Sequence, residues 1–303
     1  MRFYVQQALN ALQVGSVYAL IALGYTMVYG ILTMINFAHG DVFMVSSYVA
    51  FFVATALIGS HLALPPAVVF AATLLSSMFL TALLAMAIER VAYRPLRRAP
   101  RMSLVITSLG IGLLLENLAI AFRPVGPAPR MLPALIPSTT IVVGGVAFSA
   151  LQVVTIIVSA AAMLGLDALV RHTRVGIAMR AISWDSALVP LMGVPVDRIV
   201  SMTFAIGAAV AAVGGTLYGM TYTIDPYMGI RIGWWAFISA VVGGIGNIRG
   251  AMLGGFLLGA VEIFTPVFLH SSTYRDMVAF SLLLVLLVFR PTGILGSPAA
   301  QKV

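Results

Sequence analysis

The side chains that could do chemistry are few, and they lie in apolar surroundings. Asn36, His39 and Asp41 fall in one short stretch, Ile35-Asn-Phe-Ala-His-Gly-Asp41, while Glu116 adjoins Asn117 and Glu262 stands apart. Ionisable groups at membrane depth are expensive and usually functional. Asp41, Glu116 and Glu262 are therefore candidates for a proton- or cation-coupled step. The structural alternative is that the stretch with Gly40 breaks two apolar runs, so that His39 and Asp41 cap a helix or sit at an interface.

Other chemistries lack their residues. His39, His61, His172 and His270 lie in separate segments, and Cys is absent; no metal centre, reactive thiolate or disulfide framework is expected. Neither a G-x-S-x-G elbow nor H-E-x-x-H occurs, which argues against covalent catalysis and an intramembrane enzyme. Lys302 is the only lysine. A P-loop, whose lysine reaches the phosphates, cannot be assembled, so no ATP site or other cofactor is expected on this chain.

The elements that carry these residues follow from composition. Of 303 residues, 61% are hydrophobic and 9% charged, against about 25% charged in a soluble domain. A membrane span needs roughly 20 apolar residues, and apolar runs fall near 8–30, 42–59, 65–88, 102–121, 140–169, 199–219, 233–245, 250–269 and 276–289. This predicts an all-α polytopic transmembrane bundle of eight or nine spanning helices, one domain over 1–303. Broken or re-entrant elements are expected near 35–41 and 243–250. The first run is too long for a signal peptide and reads as a membrane helix.

The net charge of +8 resides in short loops. Arg90, Arg94, Arg97, Arg98 and Arg101 form one, and Arg171, Arg174, Arg180 and Arg198 another; both belong in the cytoplasm by the positive-inside rule. No solvated basic face with interleaved aromatics suggests nucleic acid. The proline-rich segment Arg123 to Pro137 should face the other side. Three plain spans before Arg90 put the N-terminus outside, whereas a re-entrant element at 35–41 puts it inside; both remain open.

Gly15-Ser-Val-Tyr-Ala-Leu20 is similar to Gly215-Thr-Leu-Tyr-Gly-Met220, which suggests two related halves, although such short likenesses also arise by chance. Small residues recur every four positions at Gly207, Ala211, Gly215 and Gly219, and at Gly246, Gly250 and Gly254. These ladders read as helix-packing surfaces. Asn36, His39, Gly40 and Asp41, together with Gly244, Asn247 and Gly250, interrupt apolar helices and are candidates for a solute pathway or its gate.

The cytoplasmic loop over 171–198 is long. A short helix is expected over Ala178 to Leu191, with Ala181, Trp184, Ala187, Leu188 and Leu191 on one face, either docking a protein partner or lying on the membrane. This loop resembles the coupling loop of ABC importer permeases, in which an Ala-rich segment followed by Gly docks into the ATPase; Ala187 and Gly193 match, preceded by Arg180, Ala181, Asp185 and Ser186, within bounds at Gly176 and Val194. Pro190 should bend or shorten the coupling helix. Gly15-Ser-Val-Tyr-Ala-Leu-Ile-Ala-Leu-Gly-Tyr-Thr-Met-Val-Tyr-Gly30, Ile35-Asn-Phe-Ala-His-Gly40, Val242-Gly-Gly-Ile-Gly-Asn-Ile-Arg-Gly250 and Arg290-Pro-Thr-Gly-Ile-Leu-Gly296 extend the match. Nearly the whole chain resembles the smaller permease of the branched-chain amino acid ABC importers, the LivH type.

That resemblance implies half of an alternating-access pathway in a bacterial inner membrane, in contact with lipid. It implies a second, homologous permease, two ATPase subunits carrying ATP and Mg, and a periplasmic binding protein delivering leucine, isoleucine or valine. The partner permease could equally be a second copy of this chain. The same machine with urea, short amides or other amino acids as cargo is an alternative, and an ion-coupled secondary transporter is a more distant one.

Overall fold

In hydrocarbon every backbone amide has to be satisfied within its own segment, and the apolar runs do so as helices. The computed structural model describes residues 2–60, 64–97, 99–137, 139–185 and 188–296. Within them α1 spans Arg2–Leu32, α2 His39–Gly59, α3 Pro66–Ile88, α4 Arg101–Ala121 and α5 Ala150–His172. The series continues with α6 Arg174–Trp184, α7 Val196–Thr221, α8 Met228–Gly243, α9 Ile248–Leu269 and α10 Arg275–Phe289. Among the described residues eight helices are long and apolar enough to span a membrane, and α8 is a shorter apolar helix.

One contact places the start of α1 relative to the loops. Gln6 at the start of α1 exchanges two hydrogen bonds with the backbone of Ala147, of 3.1 and 2.9 Å. It therefore lies on the face of the proline-rich segment, opposite the basic loops. With those loops in the cytoplasm, α1 starts on the outer side, as three plain spans before Arg90 require.

Three expectations need correction. The run 140–169 is not one helix: Thr140–Val143 (β1) and Val146–Ser149 (β2) pair antiparallel. β-Branched residues favour the strands, and Gly144 and Gly145 take positive φ of 61° and 82° in a two-residue turn. Ser149 then caps α5, accepting from Gln152 N at 3.0 Å. Secondly, α8 starts at Met228, ahead of the apolar run at 233. Thirdly, the loop helix is α6, over Arg174–Trp184, instead of Ala178 to Leu191. Thr173 supplies its N-cap, accepting from Gly176 N at 3.1 Å; Pro190 instead belongs to a separate 3₁₀ turn, Val189–Met192.

α1 and α7 form the centre, and α3, α4, α5 and α10 turn outward. Leu75, Phe79, Ile106, Leu113, Leu164 and Val288 are exposed on those outer helices, as lipid-facing residues should be. The small-residue ladders pack inside the subunit. A Cβ on Gly255 or Gly259 of α9 would collide with Ala19 or Gly15 of α1, and one on Gly254 with Ser239 of α8. Gly207 of α7 likewise lies against Gly24 of α1.

Along α3, the residues Val69, Thr73, Ser77, Thr81 and Ala85 are all buried. The stripe carries on through a π-turn, Glu89–Tyr93, to buried Glu89 and Tyr93. Ser77 donates to the Ser46 carbonyl of α2 at 2.8 Å.

Candidate functional site

The chain between α1 and α2 turns back into the bundle. His39 opens α2 beside Gly24, about two turns short of the end of α1, and its ring meets Tyr25 edge-on at 4.9 Å. Asn36 accepts a 2.7 Å hydrogen bond from the Tyr93 hydroxyl. Gly40 lies against the backbone of Gly229 and Gly233 near the start of α8. Asp41 is buried, and its Oδ1 has no hydrogen-bond partner among the described residues. Gly112 of α4 abuts the same carboxylate, one turn before buried Glu116, whose Oε2 is also unpartnered. Asp41 forms one wall of a cavity of about 240 Å³ with Tyr25, Phe37, Gly112, Trp234 and Phe237.

The second interruption is a different object. Asn247 caps α9 by accepting from Gly250 N at 3.2 Å, and its Nδ2 donates to the Leu295 carbonyl at 2.7 Å. Ile294 and Leu295 donate backbone hydrogen bonds to Val242 and Gly243, and Gly244 packs against Gly296. Gly244, Asn247 and Gly250 thus clasp the segment after α10 onto the α8–α9 turn. They line neither cavity described here.

A larger cavity, of about 350 Å³, opens on the outer face between α1, α7, α8, α9 and α10. Glu262 of α9 accepts a hydrogen bond from the Tyr18 hydroxyl, and Arg275 Nη1 stands 3.8 Å from its other oxygen. Trp235 Nε1 donates to Asp276 at 2.9 Å, and Arg231 pairs with Asp225 at 2.9 Å on the rim. Tyr18 stacks on Trp235 at 5.8 Å. Of these residues the sequence reading singled out Glu262 alone. The others come from three separate helices and the connection before α8, although the matched segments carrying Tyr18 and Tyr218 both contribute to this one cavity.

On the cytoplasmic face, Gly176 is buried against Val170, and Arg180 donates to the Arg171 carbonyl at 3.3 Å. Ala181 accepts from Asp185 N at 3.0 Å, and Asp185 in turn accepts from Leu188 N at 3.2 Å. Ser186 and Ala187 lie outside the described residues. Gly193 ends the 3₁₀ turn with φ 77°, and half-buried Val194 leads into α7. Trp184, Leu188, Leu191 and Met192 are exposed.

Behind this loop sits a cluster that composition concealed. Glu89, fully buried, is bound by Arg97 and by the Ser201 hydroxyl of α7. Arg94 and Arg97 both reach Asp197 in the first turn of α7. The signal was the four-residue stripe of α3: continued from Thr73, Ser77 and Thr81, it arrives at Glu89 and Tyr93.

Among the described residues no three His, Asp or Glu side chains gather as a metal site. The sequence matches the family described as branched-chain amino acid transport system / permease component over residues 7–287. It is 44% identical to the high-affinity branched-chain amino acid transport system permease protein BraD of Pseudomonas aeruginosa, over 99% of this chain and 98% of that one. It is 43% identical, with the same coverage, to the permease protein LivH of Salmonella typhimurium. An ABC transporter of metal-chelate type, solved in an inward-facing conformation, superposes with a TM-score of 0.50 at 15% identity, covering 94% of this chain and 85% of that one; this speaks to the fold alone. The chain is an inner-membrane transport subunit and not an enzyme, and it belongs to the permease family of the branched-chain amino acid transport system.

Proposed function

We propose that this chain is the pathway-forming permease of an ATP-driven importer for leucine, isoleucine and valine. Full-length likeness to BraD and LivH carries this reading. In the assembly it pairs with a second, homologous permease and two ATPase subunits that hold ATP and Mg, and it receives its cargo from a periplasmic binding protein. The exposed apolar tip at Trp184, Leu188, Leu191 and Met192 is the surface offered to an ATPase, since apolar patches on a water-facing loop mark interaction sites.

Movement of that tip passes through Val194 into α7. Through Asp197 and Ser201 it then reaches α3, because Arg94, Arg97 and Glu89 tie the two helices together. ATP supplies the bias, as an alternating-access cycle needs a ligand that distinguishes the two states. Asn36, His39, Gly40 and Asp41 border the pathway at the broken start of α2.

The test is reconstitution of the complete importer in liposomes with ATP inside and its binding protein outside. Labelled leucine should accumulate, and Trp184→Glu should release the ATPase subunits from the purified complex and stop uptake. Uptake that proceeds without the ATPase subunits, or an intact complex that carries urea and no branched-chain amino acid, overturns the proposal.

A further inference from the structure

We infer that the outer-face cavity between α1, α7, α8, α9 and α10 is a reception site, contained in this one chain, for the zwitterionic amino acid itself. The inference rests on the importer reading above and adds where, and by which groups, the permease first holds its cargo.

Four charged side chains line the cavity, Arg231, Glu262, Arg275 and Asp276, two of each sign. Such balance suits a ligand that carries both charges and is neutral overall. Three of the groups have close protein partners: Arg231 is held by Asp225, Asp276 by the Trp235 indole, and one Glu262 oxygen by Tyr18. The remaining pair is only loosely engaged. At 3.8 Å, Arg275 Nη1 and Glu262 Oε1 are too far apart to hydrogen-bond, and Arg275 Nε is buried without a partner among the described residues. Packed proteins leave few such groups unsatisfied.

An α-amino acid inserted at this pair meets both needs. Its carboxylate takes the free Arg275 donors, a charge-assisted contact for which a guanidinium is well shaped. Its ammonium takes Glu262 Oε1. Val14, Val17 and Ile232 form an apolar wall beside the charges, where an aliphatic side chain leaves water. A volume of about 350 Å³ falls at the small end of the roughly 300–1,000 Å³ range of ligand pockets. The cavity also lies on the right side of the membrane. Tyr222 and Ser272 at its edge follow α7 and α9 on the face away from the basic loops, where a binding protein releases its load.

Saturation-transfer NMR on the complete importer in lipid nanodiscs, with the binding protein left out, tests this directly. Leucine should give a signal from the wild-type complex, whereas 4-methylpentanoate, which lacks the ammonium, and isoamylamine, which lacks the carboxylate, should not. Glu262→Gln and Arg275→Gln should weaken leucine binding by about tenfold or more. Val17→Phe, which fills the apolar wall and leaves every charge in place, should do the same in complexes that still co-purify with all subunits. Equal binding of the single-charge analogues, or undiminished leucine binding in Val17→Phe, overturns the site. Leucine uptake by the wild-type importer is measured in parallel: if it holds while the NMR result fails, the cavity assignment falls and the importer reading stands.

Discussion

Two clusters of charge hold this permease together at opposite faces, built from the same residue types and packed in opposite ways. The inner cluster is solid. Glu89 is completely buried, with Arg97 and Ser201 occupying its carboxylate. The outer cluster is hollow: Glu262 and Arg275 stand 3.8 Å apart beside a cavity of about 350 Å³, while among the described residues each cluster keeps one buried arginine Nε, of Arg97 or of Arg275, without a partner. Charges engaged only with one another fix two helices in register. Charges left with spare capacity can exchange partners, so the inner cluster serves to transmit and the outer one to receive.

The contrast can be broken most forcefully at Glu89. Glu89→Ala removes one partner of a buried pair and leaves Arg97 with the half-exposed Asp197 alone, which costs about 3 kcal/mol, the low end for a broken buried pair. The expected result is a large fall in the thermal unfolding midpoint of the detergent-purified chain, with little folded material recovered from membranes. A midpoint close to wild type would mean that water reaches Glu89. Ser201→Ala comes next, at about 1–3 kcal/mol, because a buried carboxylate oxygen loses its donor. Tyr18→Phe, the matching change in the outer cluster, should cost no more than about 1.5 kcal/mol, since Glu262 is a fifth exposed and water can replace the hydroxyl. Should Tyr18→Phe prove more damaging than Ser201→Ala in the same denaturation series, the outer cluster would be the structural one. Arg94→Ala sits at the bottom of the scale. Arg94 and Asp197 are each about half exposed, and an exposed pair contributes about 0–1 kcal/mol; a double-mutant cycle with Asp197→Ala reads this coupling, which should shrink further in high salt.

How much of this was legible depended on whether the signal was local. Hydropathy located the spans, and the arginines placed the faces, because both are properties of contiguous sequence. The break at Asn36 to Asp41 showed as polar residues between two apolar runs. The hairpin at Thr140–Ser149 did not, since β-branched apolar residues look alike in a strand and in a membrane helix until Gly144 and Gly145 are weighed as a turn. The end of α6 at Trp184 was missed because apolar spacing ran on beyond it to Leu188 and Leu191, which the 3₁₀ turn exposes instead. Tyr18, Trp235, Arg275 and Asp276 converge from three helices, and no spacing within one segment announces that. Glu89 was hidden by its neighbour Arg90, which made it look like the edge of a solvated loop.

The seam between α1 and α9 has a mechanical meaning. Gly15, Ala19, Gly255 and Gly259 bring the two backbones so close that no side chain separates them. A joint of this kind can neither slide by a residue nor gape without opening a void, so α1 and α9 form a single strut, and Tyr18 and Glu262 ride on it together. α10 is held more lightly, by the Trp235–Asp276 hydrogen bond, by the turn that precedes it and by the clasp that follows it, with Ala279 its one buried residue. Of the helices around the outer cavity α10 is thus the least deeply packed, so Arg275 sits on the cavity's softest wall and Glu262 on its stiffest.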